Sequence, residues 1–172
     1  MKKLLLSAIL LFSLFSSLQA QSDMTMSITD TNNKTYEITG TEQGLTIKGL
    51  EGKIVFLEFF GHMCPPCLRS IPHLIDLKKK HKDELAVIAV EVQGYDRTKL
   101  ANFAKQKGIN YTTVSQDDAG ILVEYISQRA QWHNSIPFLL ILDQKGEVQY
   151  AQPGARSEAD MENFIQQLIL KK

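Results

Sequence analysis

Cysteine is scarce in this chain: two of 172 residues, both in Cys64-Pro65-Pro66-Cys67. One pair cannot build a multi-bridge scaffold, and a bridge closing two intervening residues constrains almost nothing, against about 3 kcal/mol for a 15-residue loop. A pair at that spacing is worth keeping mainly for its reactivity. An excess of charge is also missing, since Lys plus Arg and Asp plus Glu each count 19. With no net field to gather polyanions, the composition argues against a nucleic-acid partner. No repeat, low-complexity tract or inter-domain linker interrupts the chain, and 44% apolar residues are enough for one core. The longest apolar run, Leu4 to Leu18, falls short of the roughly 20 residues that a membrane span needs.

That run follows Lys2 and Lys3 and ends in Ser16, Ser17, Gln19 and Ala20, the layout of a secretory signal peptide over residues 1–20. Leu18 fits the small-residue cleavage pattern poorly, so an uncleaved membrane anchor is the alternative. No cysteine follows the run to carry a lipid. Residues 21–172 are then a single exported domain in an oxidising compartment, expected in the periplasm.

Within it, Met24 to Leu50 alternates and is broken by Asp30-Thr31-Asn32-Asn33, Gly40 and Gly44, which predicts an N-terminal β-hairpin extension over 21–50. Lys53 to Phe60 is nearly continuous in apolar residues, as in a strand covered on both faces. Pro66 to Lys82 places Leu68, Ile71, Leu74, Ile75 and Leu77 at helical spacing, with lysines in the last turns and Pro72 inside, where a kink is expected. A strand Leu85 to Val92, a helix Thr98 to Lys107 stopped by Gly108, and a strand Tyr111 to Val114 continue a βαβ rhythm. A helix from about Ala119 to Gln131 precedes a strand Phe138 to Leu142 opened by Pro137. A turn at 143–146, a strand Glu147 to Ala151 and a helix Ser157 to Leu170 close the chain, with Ser157 and Asp160 resembling a capping box.

Disulfide exchange needs a thiolate, and a free cysteine near pKa 8.5 is mostly protonated at neutral pH. Cys64 stands where a buried strand ends and a helix begins, so the unpaired N–H groups and dipole of the helix start favour its anion. Cys64 is the expected nucleophile at the exposed end, and Cys67, one turn in, the shielded resolving cysteine. A zinc half-site would need two more ligands, and His62, His73, His81 and His133 lack the spacing to supply them. No metal or cofactor is called for. His62 reads either as a cation assisting the thiolate or as a solvated loop histidine. Glu58, in the buried strand, is costly to ionise and reads either as a proton acceptor for the resolving thiol or as a carboxylate reaching water at the strand end. Ile136-Pro137 opens an apolar strand, where proline is tolerated, and the prior for its peptide bond is trans.

Together these residues resemble the thioredoxin superfamily, specifically its exported TlpA-like branch, which includes the cytochrome-c-maturation thioredoxins. The resemblance covers about Leu50 to Lys172 and rests on Lys53 to Phe60, Cys64-Pro65-Pro66-Cys67, Pro72, Ile136-Pro137 and Gly154. It implies that Pro137 is a cis-proline beside the dithiol, that the Ile136 backbone pairs with substrate, that Glu58 is the buried acid and Pro72 the helix kink. Cys64 and Pro137 stand 73 positions apart, a spacing similar to the TlpA-like branch. The family usually has Trp before its first cysteine. Here Gly61-His62-Met63 precedes it, so Met63 and His62, with Pro65 and Pro66, give a different substrate-facing surface.

The resulting expectation is a three-layer α/β thioredoxin-like fold with a central mixed β-sheet and an added N-terminal hairpin. Its function is dithiol-disulfide exchange on exported proteins with cysteines or disulfides, the resemblance favouring a reductant recharged by a membrane-bound thiol electron donor. Apocytochrome c is one substrate that this implies. The alternatives are a periplasmic oxidant or isomerase, since direction depends on reduction potential, and a copper-binding module using Cys64, Cys67 and one histidine.

Overall fold

The computed structural model describes residues 24–171; the expected signal peptide at 1–20 lies outside the described residues. The domain opens with β1 (Met24–Thr29), β2 (Thr35–Gly40) and β3 (Leu45–Ile47), an antiparallel meander in the order β1-β2-β3. The expected hairpin is present as β1 and β2, and the third strand is an addition. It forms because Ile47 and Leu45 register against Ile38 and Gly40 and bury their side chains with them.

The central sheet contains β4 (Ile54–Phe60), β5 (Leu85–Glu91), β6 (Thr112–Ser115), β7 (Phe138–Leu142) and β8 (Val148–Pro153), ordered β6-β5-β4-β7-β8. The β4, β5 and β6 strands are parallel, whereas β7 and β8 run antiparallel to their neighbours, which makes the sheet mixed. Every residue of β4, β5 and β7 is buried, as their continuous apolar sequences require.

One face of β4 presents Ile54, Phe56 and Phe60 to α1 (Pro65–Lys80), α2 (Arg97–Lys107) and α4 (Glu158–Leu170). The opposite face presents Val55, Leu57 and Phe59 to the N-terminal meander and to α3 (Leu122–Arg129). The third layer is therefore largely a second sheet, and each layer buries one apolar face against β4 and its neighbours. The meander is joined to β8 at a close backbone crossing, where Leu45 N–H donates to the Gly146 carbonyl at 2.9 Å and Val148 N–H to the Gln43 carbonyl at 3.0 Å. A Cβ on Gly44 would stand 2.1 Å from the Gly146 oxygen, and one on Gly146 (φ 85°) 2.2 Å from the Leu45 oxygen, so both positions require glycine.

Several boundaries differ from the sequence expectation. The helix expected from Ala119 to Gln131 is a 3-10 turn at Asp117–Ala119 followed by α3, because Gly120 (φ 54°, ψ −131°) breaks it. Asp118 is anchored there: its N–H donates to Ser115 Oγ and its carboxylate accepts from Arg97. The α2 helix begins one residue early, with Asp96 accepting from the Lys99 N–H at 2.8 Å. The β6 strand is shifted one residue, so that Tyr111 packs with the clusters on the α1 side. Pro72 lies inside an α1 that runs unbroken from Pro65 to Lys80. Ser157 caps α4 through the Asp160 N–H at 3.1 Å.

Candidate active site

The strand-to-helix junction explains how Cys64 is presented. After β4 the chain turns through Gly61 to Cys64, closed by Cys64 N–H donating to the Gly61 carbonyl at 3.2 Å. Cys64 is the N-cap of α1, in extended conformation (φ −96°, ψ 103°). Pro65 and Pro66 occupy the first two helical positions, where a missing N–H costs nothing. The first free N–H of the helix is then that of Cys67, and it donates to Cys64 Sγ at 3.3 Å. An acceptor sulfur at a helix start gains most from that bond and from the dipole when it is an anion.

The two cysteines are joined as a disulfide, their Cα atoms 5.2 Å apart. Cys67 is fully buried, and Cys64, expected at an exposed end, is itself only 7% exposed. The correction follows from packing, since both sulfurs lie in a cluster with Phe60, Ile71, Ala89, Leu100 and Phe103. The order of accessibility between the two is as expected. Met63, 69% exposed, is the projecting side chain beside Cys64; Pro65 is also exposed and Pro66 half-buried.

The Ile136-Pro137 peptide is cis, against the trans prior and in agreement with the resemblance. The Ile136 carbonyl oxygen lies 3.8 Å from Cys64 Sγ, and the Pro137 carbonyl accepts from Gly154 N–H at 2.8 Å. The preceding loop is pinned by Trp132, a residue the sequence reading did not single out. Its ring packs on Phe59 and Phe138 at centroid distances of 4.6 and 4.9 Å, and its Nε1–H donates to the Ser135 carbonyl at 2.8 Å.

Glu58 sits mid-strand in β4 between Ala89 of β5 and Leu139 of β7. Its register partner Ala89 belongs to the same cluster as Cys67 and Ile71, and Glu58 itself is 5% exposed. Burial pushes the Glu58 carboxyl up to about 8, into the range where a carboxyl can exchange a proton near neutral pH. Burial and then the charge of Glu58 raise the Tyr111 phenol as well.

His62 is not a solvated loop histidine. Its side chain is 13% exposed, its Nδ1–H donates to Glu91 Oε1 at 2.8 Å, and its ring stacks on Tyr95 at 3.6 Å. Glu91, fully buried at the end of β5, was not singled out in the sequence; an acidic residue closing an otherwise apolar strand is the signal that could have found it. Among the described residues no three His, Cys, Asp or Glu side chains gather as a metal site.

Comparison with known proteins agrees with this geometry. The AhpC/TSA family matches residues 26–151. Thiol-disulfide oxidoreductase ResA of Bacillus subtilis is 27% identical over 137 residues, covering 79% of this chain and 68% of its own. ResA of Halalkalibacterium halodurans is 26% identical over 125 residues, covering 72% of this chain and 67% of its own. A thioredoxin-family thiol:disulfide interchange protein from Chlorobium tepidum has the same fold, with a TM-score of 0.70 at 21% identity over 84% of this chain and 93% of its own. With the family match spanning most of its length, the chain belongs to the AhpC/TSA family, as a thioredoxin-like thiol-disulfide oxidoreductase carrying the Cys64–Cys67 pair.

Proposed function

We propose that this protein is an exported reductant of protein disulfides in which Cys64 attacks and Cys67 resolves. The observation that carries the assignment is the Cys67 N–H directed at Cys64 Sγ across two prolines, which places the stabilising donor on the outer sulfur. In the reduced protein the Cys64 thiolate attacks one sulfur of a substrate disulfide, forming a mixed disulfide and releasing the other as a thiolate. Cys67 then gives its proton to the Glu58 carboxylate and attacks Cys64 Sγ. The substrate's second thiolate leaves and the Cys64–Cys67 disulfide forms. The Ile136 carbonyl, beside Cys64 and followed by Pro137 at the start of β7, is the backbone acceptor for the incoming chain. Met63, His62, Pro65 and Pro66 form the rim that meets the substrate.

Export rests on Lys2, Lys3 and the apolar run that follows, and the periplasm is the compartment in which such a leader and a retained dithiol make sense together. The substrates are exported proteins with cysteine pairs, with apocytochrome c the family's suggestion. A membrane-bound thiol electron donor recharges Cys64 and Cys67. Direction is decided by potential, and about 30 mV changes the equilibrium tenfold. Titration of the purified protein against glutathione should place it near the roughly −270 mV of thioredoxin; a value near the roughly −120 mV of DsbA would make it an oxidant.

A further inference from the structure

The three residues before the nucleophile are each held by the loop that follows β5. Glu91, fully buried, accepts four N–H groups: the His62 backbone and Gln93 backbone at 3.4 and 3.0 Å on Oε1, the Tyr95 backbone at 2.8 Å on Oε2, and His62 Nδ1–H at 2.8 Å on Oε1. Those bonds fold residues 91–95 into a tight loop whose side chains turn back onto residues 61–63. Gln93 Oε1 accepts from Met63 N–H at 2.9 Å, and its amide lies so close to Gly61 that a Cβ there would stand 2.2 Å from Gln93 Cδ. Tyr95 stacks on His62 with rings 9° from parallel, and its other contacts lead through Phe103 to Phe60 in the cluster that buries both sulfurs. Gly61, His62 and Met63 thus have no independent freedom, and the Gly61 carbonyl receives the Cys64 N–H.

We infer that Glu91, Gln93 and Tyr95 are positioning residues for the Cys64 sulfur, a clamp that fixes the turn before the nucleophile so that Sγ meets the Cys67 N–H. The inference rests on the reading of Cys64 as the attacking sulfur. Its physical content is that a cap bond to sulfur is set by the N-cap backbone, and that backbone is held from outside its own helix. Gln93 reports on the clamp most cleanly, because its side chain is exposed and uncharged, so removing it takes away the Met63 bond without changing the local charge.

The test is iodoacetamide labelling of the reduced full-length protein as a function of pH, alongside thermal unfolding of the oxidised form. Gln93→Ala is expected to slow Cys64 labelling at pH 7 about tenfold and move its pH midpoint upward with the unfolding temperature unchanged. Gln93→Met, which keeps the volume beside Gly61 but offers Met63 N–H no acceptor, should slow labelling as Gln93→Ala does. His62→Phe keeps the stack on Tyr95 and removes the bond to Glu91, and should also slow labelling. Wild-type labelling rates in both Gln93→Ala and His62→Phe would overturn the clamp while leaving the oxidoreductase reading intact. Equal, slow labelling of both cysteines in the wild-type protein would instead remove the reading on which the clamp depends.

Discussion

The sulfur of Cys64 lies 3.8 Å from the carbonyl oxygen of Ile136, a residue 72 positions further along the chain. That approach brings the sulfur proposed to attack and the backbone acceptor proposed for an extended partner into one small surface. Cys67 stands behind it, fully buried. The asymmetry predicts distinct phenotypes for the two cysteines. Cys67→Ala should accumulate stable mixed disulfides through Cys64, because the sulfur that normally releases substrate is gone. Cys64→Ala should trap almost nothing. Non-reducing electrophoresis of the variants after incubation with a disulfide-bonded substrate reads this directly, and trapping by Cys64→Ala would reverse the assigned roles.

Glu58 is expected to show two separable effects. Its folded-state value of about 8 lies above the ordinary 4.5, so ionising it opposes folding. The associated stability is fully present below about pH 4.5 and is lost as pH rises through about 8. Glu58→Gln should therefore match wild-type stability near pH 4 and exceed it at pH 9, on the order of 3 to 5 kcal/mol at roughly 1.4 kcal/mol per unit. Urea unfolding of the oxidised proteins at the two pH values measures the difference. The same variant should slow the Cys67-dependent release of a mixed disulfide about a hundredfold or more, since an amide fills the volume but takes no proton. Unchanged release with altered stability would leave Glu58 a structural role only.

Trp132 links the core to the loop that carries Ile136. Trp132→Ala should cost about 3 to 5 kcal/mol in thermal or urea unfolding, because Phe59 and Phe138 lose their packing partner. Trp132→Phe keeps a ring but removes the bond to the Ser135 carbonyl, with a cost of about 1 kcal/mol. Disulfide exchange by Trp132→Phe should fall more than that small loss of stability accounts for. Wild-type exchange would mean that the loop holds its shape without the indole N–H.

The far end of α1 is tied to α4 through Glu162, which accepts from His81 and Lys80. Burial pushes the Glu162 carboxyl up, but hydrogen bonds from Gln166, His81 and Lys80 outweigh it and hold the group down at about 2. A depressed value means stability present above the ordinary 4.5 and lost as pH falls through about 2. Glu162→Gln should be destabilised by about 1 kcal/mol at pH 7, the scale of a partly exposed ion pair. The two unfolding curves should converge near pH 2, and a constant difference across that range would assign the effect to packing instead.

The dithiol, the strand before it and the helix after it were legible in the sequence because each is local. Two cysteines three apart, a run from Lys53 to Phe60 and apolar spacing from Leu68 to Leu77 specify strand, turn and helix with no reference to the rest of the chain. Glu58 was legible for the same reason, as an acid inside an apolar strand. The sequence did not reveal that β3 would complete the N-terminal meander, because three residues carry too little periodicity, and the crossing that ties its start to the central sheet joins two glycines about 100 positions apart. Nor could it decide the state of His62, since a histidine's environment is made by whatever packs on it, here Glu91 and Tyr95 from the next strand and loop. The 3.8 Å approach of Ile136 to Cys64 belongs to the same class. By itself the sequence determined the dithiol and the strand and helix that flank it. Tertiary structure decided what surrounds them, because those neighbours come from β5, β7 and their loops, and only packing of the sheet brings them to the start of α1.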